Sequence, residues 1–508
     1  MKNEILLTVT SIMLLASCGQ SENKNSASSP LFAGKDHYDA LATLPLTQGY
    51  PSAEGLKQME DEIFFQRACQ AYLWALPSLN MYGMKEGSEK DFGAGYNILP
   101  IWKERLNAKT KVTTPNSDVI YAMGYLDLQK DGPIVIEVPP GLQGILDDFY
   151  QRPIKSEGKI NGREWAGDVG LPGPDQGKGG KYLILPPDYT GKIPTGYYVF
   201  RSGTYGVFVF WRGFFQDPKK LEEPVKVMEQ TVIYPLDKKA EAKPMQFPNG
   251  SKGEHNMLYP KGIAAFEMLS RYINNEYVNP VDMEMRGILQ SIGIEKGKPF
   301  NPTPEKRALL DKAGNTAYEM ARVIAYDLPL MVEGTLWYKD RQWVNPFPGN
   351  ADFTKETYNA TDARISFFTF AYSASPGMAI KMENVGAKYP VTFRDSEGNM
   401  LSGSNNYKLH LPKDIPAALF WSVTLYDAVT ASGLDNGQPF PSINTMDKPV
   451  QNADGTTDLY FGPISPGKGK NWIKTIKDEG FFCILRLYGP KKTFFDQTWI
   501  PGDIEKIK

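Results

Sequence analysis

Between Val112 and Tyr234 the chain is cut into short apolar runs by glycine and proline: VIYAMGYLDL (Val119–Leu128), PIVIEVP (133–139), GKYLILPP (180–187), YYVFRS (197–202) and GVFVFWRGFF (206–215). Runs this short, bounded by turn residues, read as strands joined by tight connections. A parallel pair needs a crossover of about a dozen residues or more, usually a helix. No helical pattern fits between these runs, so a doubly wound parallel sheet is excluded and an antiparallel β domain is expected. The glycine-rich stretch Glu164–Lys181 reads as a long exposed loop.

Other parts of the chain carry a different period. Leu56, Met59, Ile63, Cys69, Tyr72 and Leu76 recur at helical spacing after Ser52, with Pro77 as the expected stop. Helical periodicity returns between about Lys261 and Tyr326 in three pieces, Gly262–Asn274, Val281–Ile292 and Pro304–Tyr326. From Phe353 onward strands are expected again: ARISFFTFAYS (363–373), ALFWSVTLYD (418–427), DLYFGP (458–463) and FFCILRLYGP (481–490), with Asp-Gly and Asn-Gly turns between them. The expected class is α+β, mainly β: an N-terminal β-rich module, a helical middle segment and a C-terminal jelly-roll-like antiparallel β-sandwich.

The N-terminus carries an address. Lys2 precedes an apolar run, Ile5–Ala16, too short to span a bilayer but of the length of a secretory core segment. It ends in Leu15-Ala16-Ser17-Cys18-Gly19, which resembles a bacterial lipobox. The resemblance implies that Cys18 is lipidated and becomes the first mature residue. Gly19, in place of Asp, implies the outer membrane in a Gram-negative host. Residues 20–30 are rich in Ser and Asn and read as a flexible tether. The expected divisions are a signal peptide with lipobox (1–18), a tether (19–50), an N-terminal domain (51–235), a helical connecting region (236–345) and the C-terminal sandwich (346–508). Export permits a disulfide, but Cys69 and Cys483 lie in apolar patterns that favour buried thiols.

Two groups of motifs carry a family resemblance. FQRACQAYLWALP (65–77), TTPNSDVIYAMGYLDL (113–128) and GPIVIEVP (132–139) resemble the domain of unknown function numbered 1254. GIEKGKPFNP (293–302), FWSVTLYDAVT (420–430), NADGTTDLYFG (452–462), NW (471–472) and LRLYGP (485–490) resemble its partner, numbered 1214. The resemblance implies two modules, mostly β, with a helical middle, and no established reaction.

Lys plus Arg number 56 and Asp plus Glu 58, a net charge of −2. That balance argues against nucleic acid as a partner. The three histidines, His37, His255 and His410, form no HExxH or helical pair, and no CxxC occurs, so no metal site is assigned. Calcium at Asp454 and Asp458 stays open. No G-x-S-x-G elbow or dinucleotide fingerprint is present, and GPDQGK (173–178) is a plain loop. No cofactor is identified.

The candidate site residues come from strand alternation and turn chemistry. Thr113–Asp118 feeds a strand, placing Asn116 and Asp118 near Tyr121. Arg201 and Arg212 sit on aromatic strands and need an anionic partner, either an internal carboxylate or a substrate. Asp118, Tyr121, Arg201 and Arg212 are the catalytic candidates. Asn116, Tyr426, Arg486 and Tyr488 are the substrate-binding candidates, the last three on the mixed aromatic and polar faces of two C-terminal strands. Aromatic residues make up 12% of the chain, which on an exported protein also invites sugar stacking. Two readings stand side by side: a hydrolase or lyase acting on a small or glycan-like envelope substrate, and a non-catalytic ligand-binding or scaffold lipoprotein. Both leave open a homo-oligomeric assembly.

Overall fold

The computed structural model describes residues 36–508 apart from Glu333 and Gly349. Cys18, its lipobox and tether residues 19–35 lie outside the described residues. The chain divides into two compact units, one ending at Glu62 and one running from Ile63 to Lys508. In the first, part of the span expected as tether carries regular structure: a helix, His37–Ala42, and a hairpin pairing Leu46–Thr47 with Tyr50–Pro51. Gln48 and Gly49 both take positive φ at its tip, as a two-residue hairpin turn requires.

Helix α1 (Ala53–Phe92) does not stop at Pro77. A proline inside a helix removes one backbone bond and costs about 3 kcal/mol. Side chains from elsewhere serve the carbonyls around it: the Tyr150 hydroxyl donates to Trp74 O at 2.8 Å, and Gln151 Nε2 to Pro77 O at 2.7 Å. Residues Ser78–Met84 are buried, so this turn is held by packing on every side.

The short runs after Val112 form two five-stranded sheets. The inner one contains β1 (Ile101–Trp102), β2 (Ile120–Asp127), β4 (Gln143–Asp148), β6 (Asp168–Val169) and β9 (Gly206–Gly213), in the order β1-β2-β9-β4-β6. The outer one contains β3 (Ile134–Val138), β5 (Lys155–Ser156), β7 (Gly180–Leu185), β8 (Tyr198–Arg201) and β10 (Val232–Pro235), in the order β10-β3-β7-β8-β5. All pairs are antiparallel except β7 with β8. Ile120, Ala122, Val209 and Trp211 of the inner sheet bury against Ile134, Ile136, Tyr182 and Ile184 of the outer one. The glycine-rich stretch 164–181 is not simply exposed. Asp175 ties it down, accepting from Gly170 N, Gly179 N and the Tyr182 hydroxyl.

The middle of the chain is helical: α2 (Ile263–Asn275), α3 (Met283–Ser291) and α4 (Pro304–Tyr326). ARISFFTFAYS, expected as a strand, is helix α5 (Thr361–Phe370), followed by the short α6 (Pro376–Ala379). A short apolar run bears no periodic mark separating a buried strand from a buried helix. The neighbour decides: α4 buries Ala313, Ala317, Ala321 and Ala325 at four-residue spacing, and this small-residue face seats the bulky side chains of α5.

The C-terminal module has one sheet of β11 (Ala387–Lys388), β14 (Ala417–Asp427), β15 (Ser442–Asn444) and β18 (Phe481–Pro490), with β12 (Val391–Thr392) also paired to β18. The second sheet holds β13 (Asn406–Leu411), β16 (Thr457–Gly462), β17 (Asn471–Lys474) and β19 (Ile504–Ile507). The sandwich is antiparallel except for β16 with β17. Its core takes Trp421, Val423, Leu425, Cys483, Leu485 and Leu487 from one sheet and Leu409, Leu459 and Ile473 from the other. Leu419, two residues before Trp421 and in step with that core face, is 61% exposed because a register shift between Ala417 and Phe420 breaks the alternation. Cys69 and Cys483 are buried thiols. No described helix is long and apolar enough to cross a membrane.

Candidate functional site

The mixed faces of β14 and β18 are turned towards the inner sheet of the N-terminal module. Phe420 and Tyr488 join the same buried cluster as Tyr121, Phe210 and the apolar residues of α1 and α5. Between these faces lies a cavity of about 110 Å³.

Register places the cavity's polar groups. Tyr121 on β2 pairs directly with Arg212 on β9, and directly opposed residues share a face. Across the gap, Arg486 and Tyr488 on β18 stand two residues apart, opposite Ser422 and Phe420, and so share a face. All four of Tyr121, Arg212, Arg486 and Tyr488 line the cavity, with Phe210, Phe347, Phe367 and Phe370 among its apolar walls. Phe420 stacks on Tyr488 with ring centroids 4.1 Å apart.

The two guanidinium groups have few partners. Arg486 is 4% exposed. It donates to Thr424 Oγ1 and Thr114 O, both at 3.3 Å, and lies 5.4 Å from the Tyr426 ring centroid. Arg212 is half-buried, and its Nε is buried without an acceptor. Among the described residues neither guanidinium makes an ion pair, and no carboxylate, histidine or cysteine lines this cavity. Asp168 and Arg212 both line an adjoining cavity of about 60 Å³. Burial raises the Asp168 carboxyl to about 6, opposed by the Gly377 N–H bond and by the attraction of Arg212. Burial also pushes the Tyr121 phenol well above its ordinary range, against the pull of Arg486 and Arg212. Tyr121 is therefore a neutral hydroxyl, suited to donate rather than to act as a base.

Backbone strain gathers around this cavity. Thr114, Gln151, Ser373 and Ala431 all have positive φ, a conformation costing non-glycine residues about 1–3 kcal/mol each. Thr114 N donates to Ala431 O, and Ser373 N to Gln151 Oε1. Ser373 Oγ and Ala374 N both donate to the buried Asp147 carboxylate. Two of the strained residues line the cavity and the other two hold them in place.

The remaining candidates lie elsewhere. Asn116 stands behind the cavity: its amide donates to the Tyr488 hydroxyl, and its carbonyl oxygen accepts from Asp118 N. The Tyr426 hydroxyl donates to Pro115 O at 2.6 Å. Asp118 is fully buried in a clamp between the modules, accepting from Arg105 at 3.0 Å, Asn444 at 2.6 Å and Ser442 at 3.3 Å. Arg201 does not join the others. It sits on the outer sheet, bound through two bonds to Glu157 and donating to the carbonyls of Pro186 and Tyr189. Its anionic partner is the internal carboxylate of Glu157, so Arg201, named as a catalytic candidate, stands apart from Arg212 and the cavity. Of the loop carboxylates considered for calcium, Asp454 is taken up by Thr456, and Asp458 by His410 and Lys408.

Sequence reasoning passed over Tyr389, Phe367 and Phe370 as site residues. The phenylalanines carried a signal, their density in 363–373, but one assigned to the wrong element. Tyr389 carried none.

Residues 96–235 match the model of a family described as Protein of unknown function (DUF1254), and residues 386–492 that of Protein of unknown function (DUF1214). The chain thus carries both regions, in that order. No curated protein matches it. Among solved structures it is similar to a crystallised protein from Vibrio parahaemolyticus, at 20% identity and a TM-score of 0.50, over 88% of this chain and 100% of that one. It also matches an uncharacterised protein from Burkholderia cenocepacia, at 13% identity and a TM-score of 0.38, over 90% and 97% of the two chains. The first likeness is one of fold.

Proposed function

We propose that this protein is a ligand-binding lipoprotein of the bacterial envelope, anchored through Cys18, whose cavity holds a small acid by its anionic group. The observation that carries this reading is the pair Arg212 and Arg486, two cations facing one largely aromatic cavity without an ion-paired carboxylate among the described residues. A buried cation left unpaired costs several kcal/mol, and a bound carboxylate would offset that cost through charge-assisted bonds. The volume of about 110 Å³ is below the roughly 150 Å³ of a cavity that admits benzene. It suits a short apolar acid rather than a glycan chain.

Binding is preferred to hydrolysis or elimination on the same ground. With Asp118 and Arg201 engaged elsewhere, the described lining of the cavity offers hydroxyls and guanidiniums but no acid–base group that titrates near neutrality. The test is calorimetric titration of the full chain in detergent with short carboxylates, including butyrate and isovalerate, each beside its uncharged amide. Acids should bind and amides should not. Equal affinity for acid and amide, or no binding across the series, overturns the reading. The anchor is tested separately: Cys18→Ser should abolish membrane retention and lipid labelling in a bacterial host.

A further inference from the structure

A second and larger cavity, about 310 Å³, adjoins the first and shares Phe347, Met378 and Tyr389 with it. Its lining is of another kind. Lys355, Lys381 and Lys388 face it together with Trp337 and Asn345, and no Asp or Glu is among its described lining residues. Lys355 and Lys381 are exposed, but Lys388, on β11, is only 2% exposed. Its ammonium donates to Met378 O at 2.9 Å and makes no ion pair among the described residues. An ammonium has three donors, and among the described residues one acceptor, Met378 O, is met.

We propose that Lys388 captures a small carbonyl compound bearing a carboxylate, forming a Schiff base in this cavity. Two conditions that activate a lysine amine coincide here: removal from water, and a neighbouring cation that disfavours its charged form. Burial lowers the Lys388 ammonium to about 8, and Lys381 acts in the same direction. The neutral amine is therefore populated near physiological pH, as nucleophilic attack requires. The step balances without a redox partner. The Nζ lone pair adds to the carbonyl carbon, and the carbonyl oxygen leaves as water with the two amine protons. A carbon–nitrogen double bond replaces the carbon–oxygen one. The acid group on the ligand follows from the lining: Lys355 and Lys381 carry positive charge into the same cavity, and no carboxylate is among its described lining residues. The inference stands apart from the acid-binding reading of the first cavity, since it concerns other residues and another bond.

The experiment treats the full chain in detergent with glyoxylate and cyanoborohydride, which reduces the imine to a stable secondary amine, and reads each lysine by peptide mass spectrometry. Lys388 should be modified about tenfold or more faster than the exposed lysines at neutral pH. Its rate should level off above about pH 8, while theirs keep rising. Butanal, which lacks the acid group, should react more slowly at Lys388 than glyoxylate does. Lys381→Met should slow modification of Lys388 near neutrality and shift its profile to higher pH. Lys388 left unmodified, or modified no faster than exposed lysines, overturns the proposal. Butanal reacting at Lys388 as fast as glyoxylate overturns the requirement for an acid group. Both overturning outcomes are read on the unaltered chain, so neither depends on a variant that folds poorly.

Discussion

Arg212 and Arg201 were equivalent on sequence grounds, each a guanidinium on an aromatic strand, yet they meet different fates. Glu157 takes Arg201 on the outer sheet, while Arg212 faces the cavity without an ion pair among the described residues. Charge-assisted bonds are worth about 1.5–3 kcal/mol each, so Arg212→Met should weaken binding of a short carboxylate about tenfold to a hundredfold. The thermal midpoint should stay level or rise, because an unpaired cation has been removed from a largely buried position. Calorimetry and thermal melting of the same variant separate the two effects. A fall in melting temperature with acid binding intact would make Arg212 a packing residue. The members of the polar motif at 113–118 divide: Asn116 braces Tyr488, and Asp118 clamps the modules through Arg105.

At the level of elements, α1 and α5 depart furthest from sequence expectation. Pro77 should end a helix, and a phenylalanine-rich run should read as strand, unless a neighbour supplies what the local chain lacks. Gln151 is that neighbour for α1. Its amide donates to Pro77 O, and its carbonyl accepts from Ser373 N at the cavity wall. Gln151→Met leaves the buried Ser373 N–H without its acceptor, at about 1–3 kcal/mol, and removes one donor from Pro77 O inside the continuous helix. The expected loss is about 1–3 kcal/mol in denaturant unfolding, accompanied by weaker acid binding, since Ser373 lines the cavity. A loss under about 0.5 kcal/mol, the size of an ordinary surface change, would show that the helix passes Pro77 without this brace.

For the whole molecule, buried carboxyls set the response to pH. Burial raises Glu276 to about 7, opposed by its bonds from Gly206 N and Tyr205 N. Asp168 is raised to about 6. The folded chain therefore takes up these protons at a higher pH than the unfolded chain, whose carboxyls titrate near 4. Between those values the folded state binds more protons, so stability rises as pH falls. The gain from Glu276 is complete near its ordinary value of 4.5. From about pH 8 to pH 5 the expected gain from Glu276 is roughly 2–3 kcal/mol, measured by thermal melting across pH. Glu276→Gln should remove that part of the slope. An unchanged slope in the variant would assign the rise to other groups. Lys388 acts in another window: its ammonium is lowered to about 8, so stability should increase as pH rises from about 8 towards its ordinary value.

Local pattern determined much of this protein. Strand alternation and turn residues were enough for the two β-rich modules, because a period of two and a Gly or Pro break are properties of neighbouring residues. The helices at 263–275, 283–291 and 304–326 follow from the same kind of information. Four of the eight proposed site residues in the folded body line one cavity: Arg486 and Tyr488 were legible from strand alternation, Tyr121 from the turn motif before it, and Arg212 as a charge on an aromatic strand. Tertiary structure alone decided which partner each charge finds, that α5 is a helix, and that the mixed C-terminal face is covered by the other module. Those outcomes depend on groups hundreds of residues apart. Asp118 and Asn444, or Gln151 and Ser373, meet only after the sheets have packed, and no periodicity along the chain encodes such a meeting.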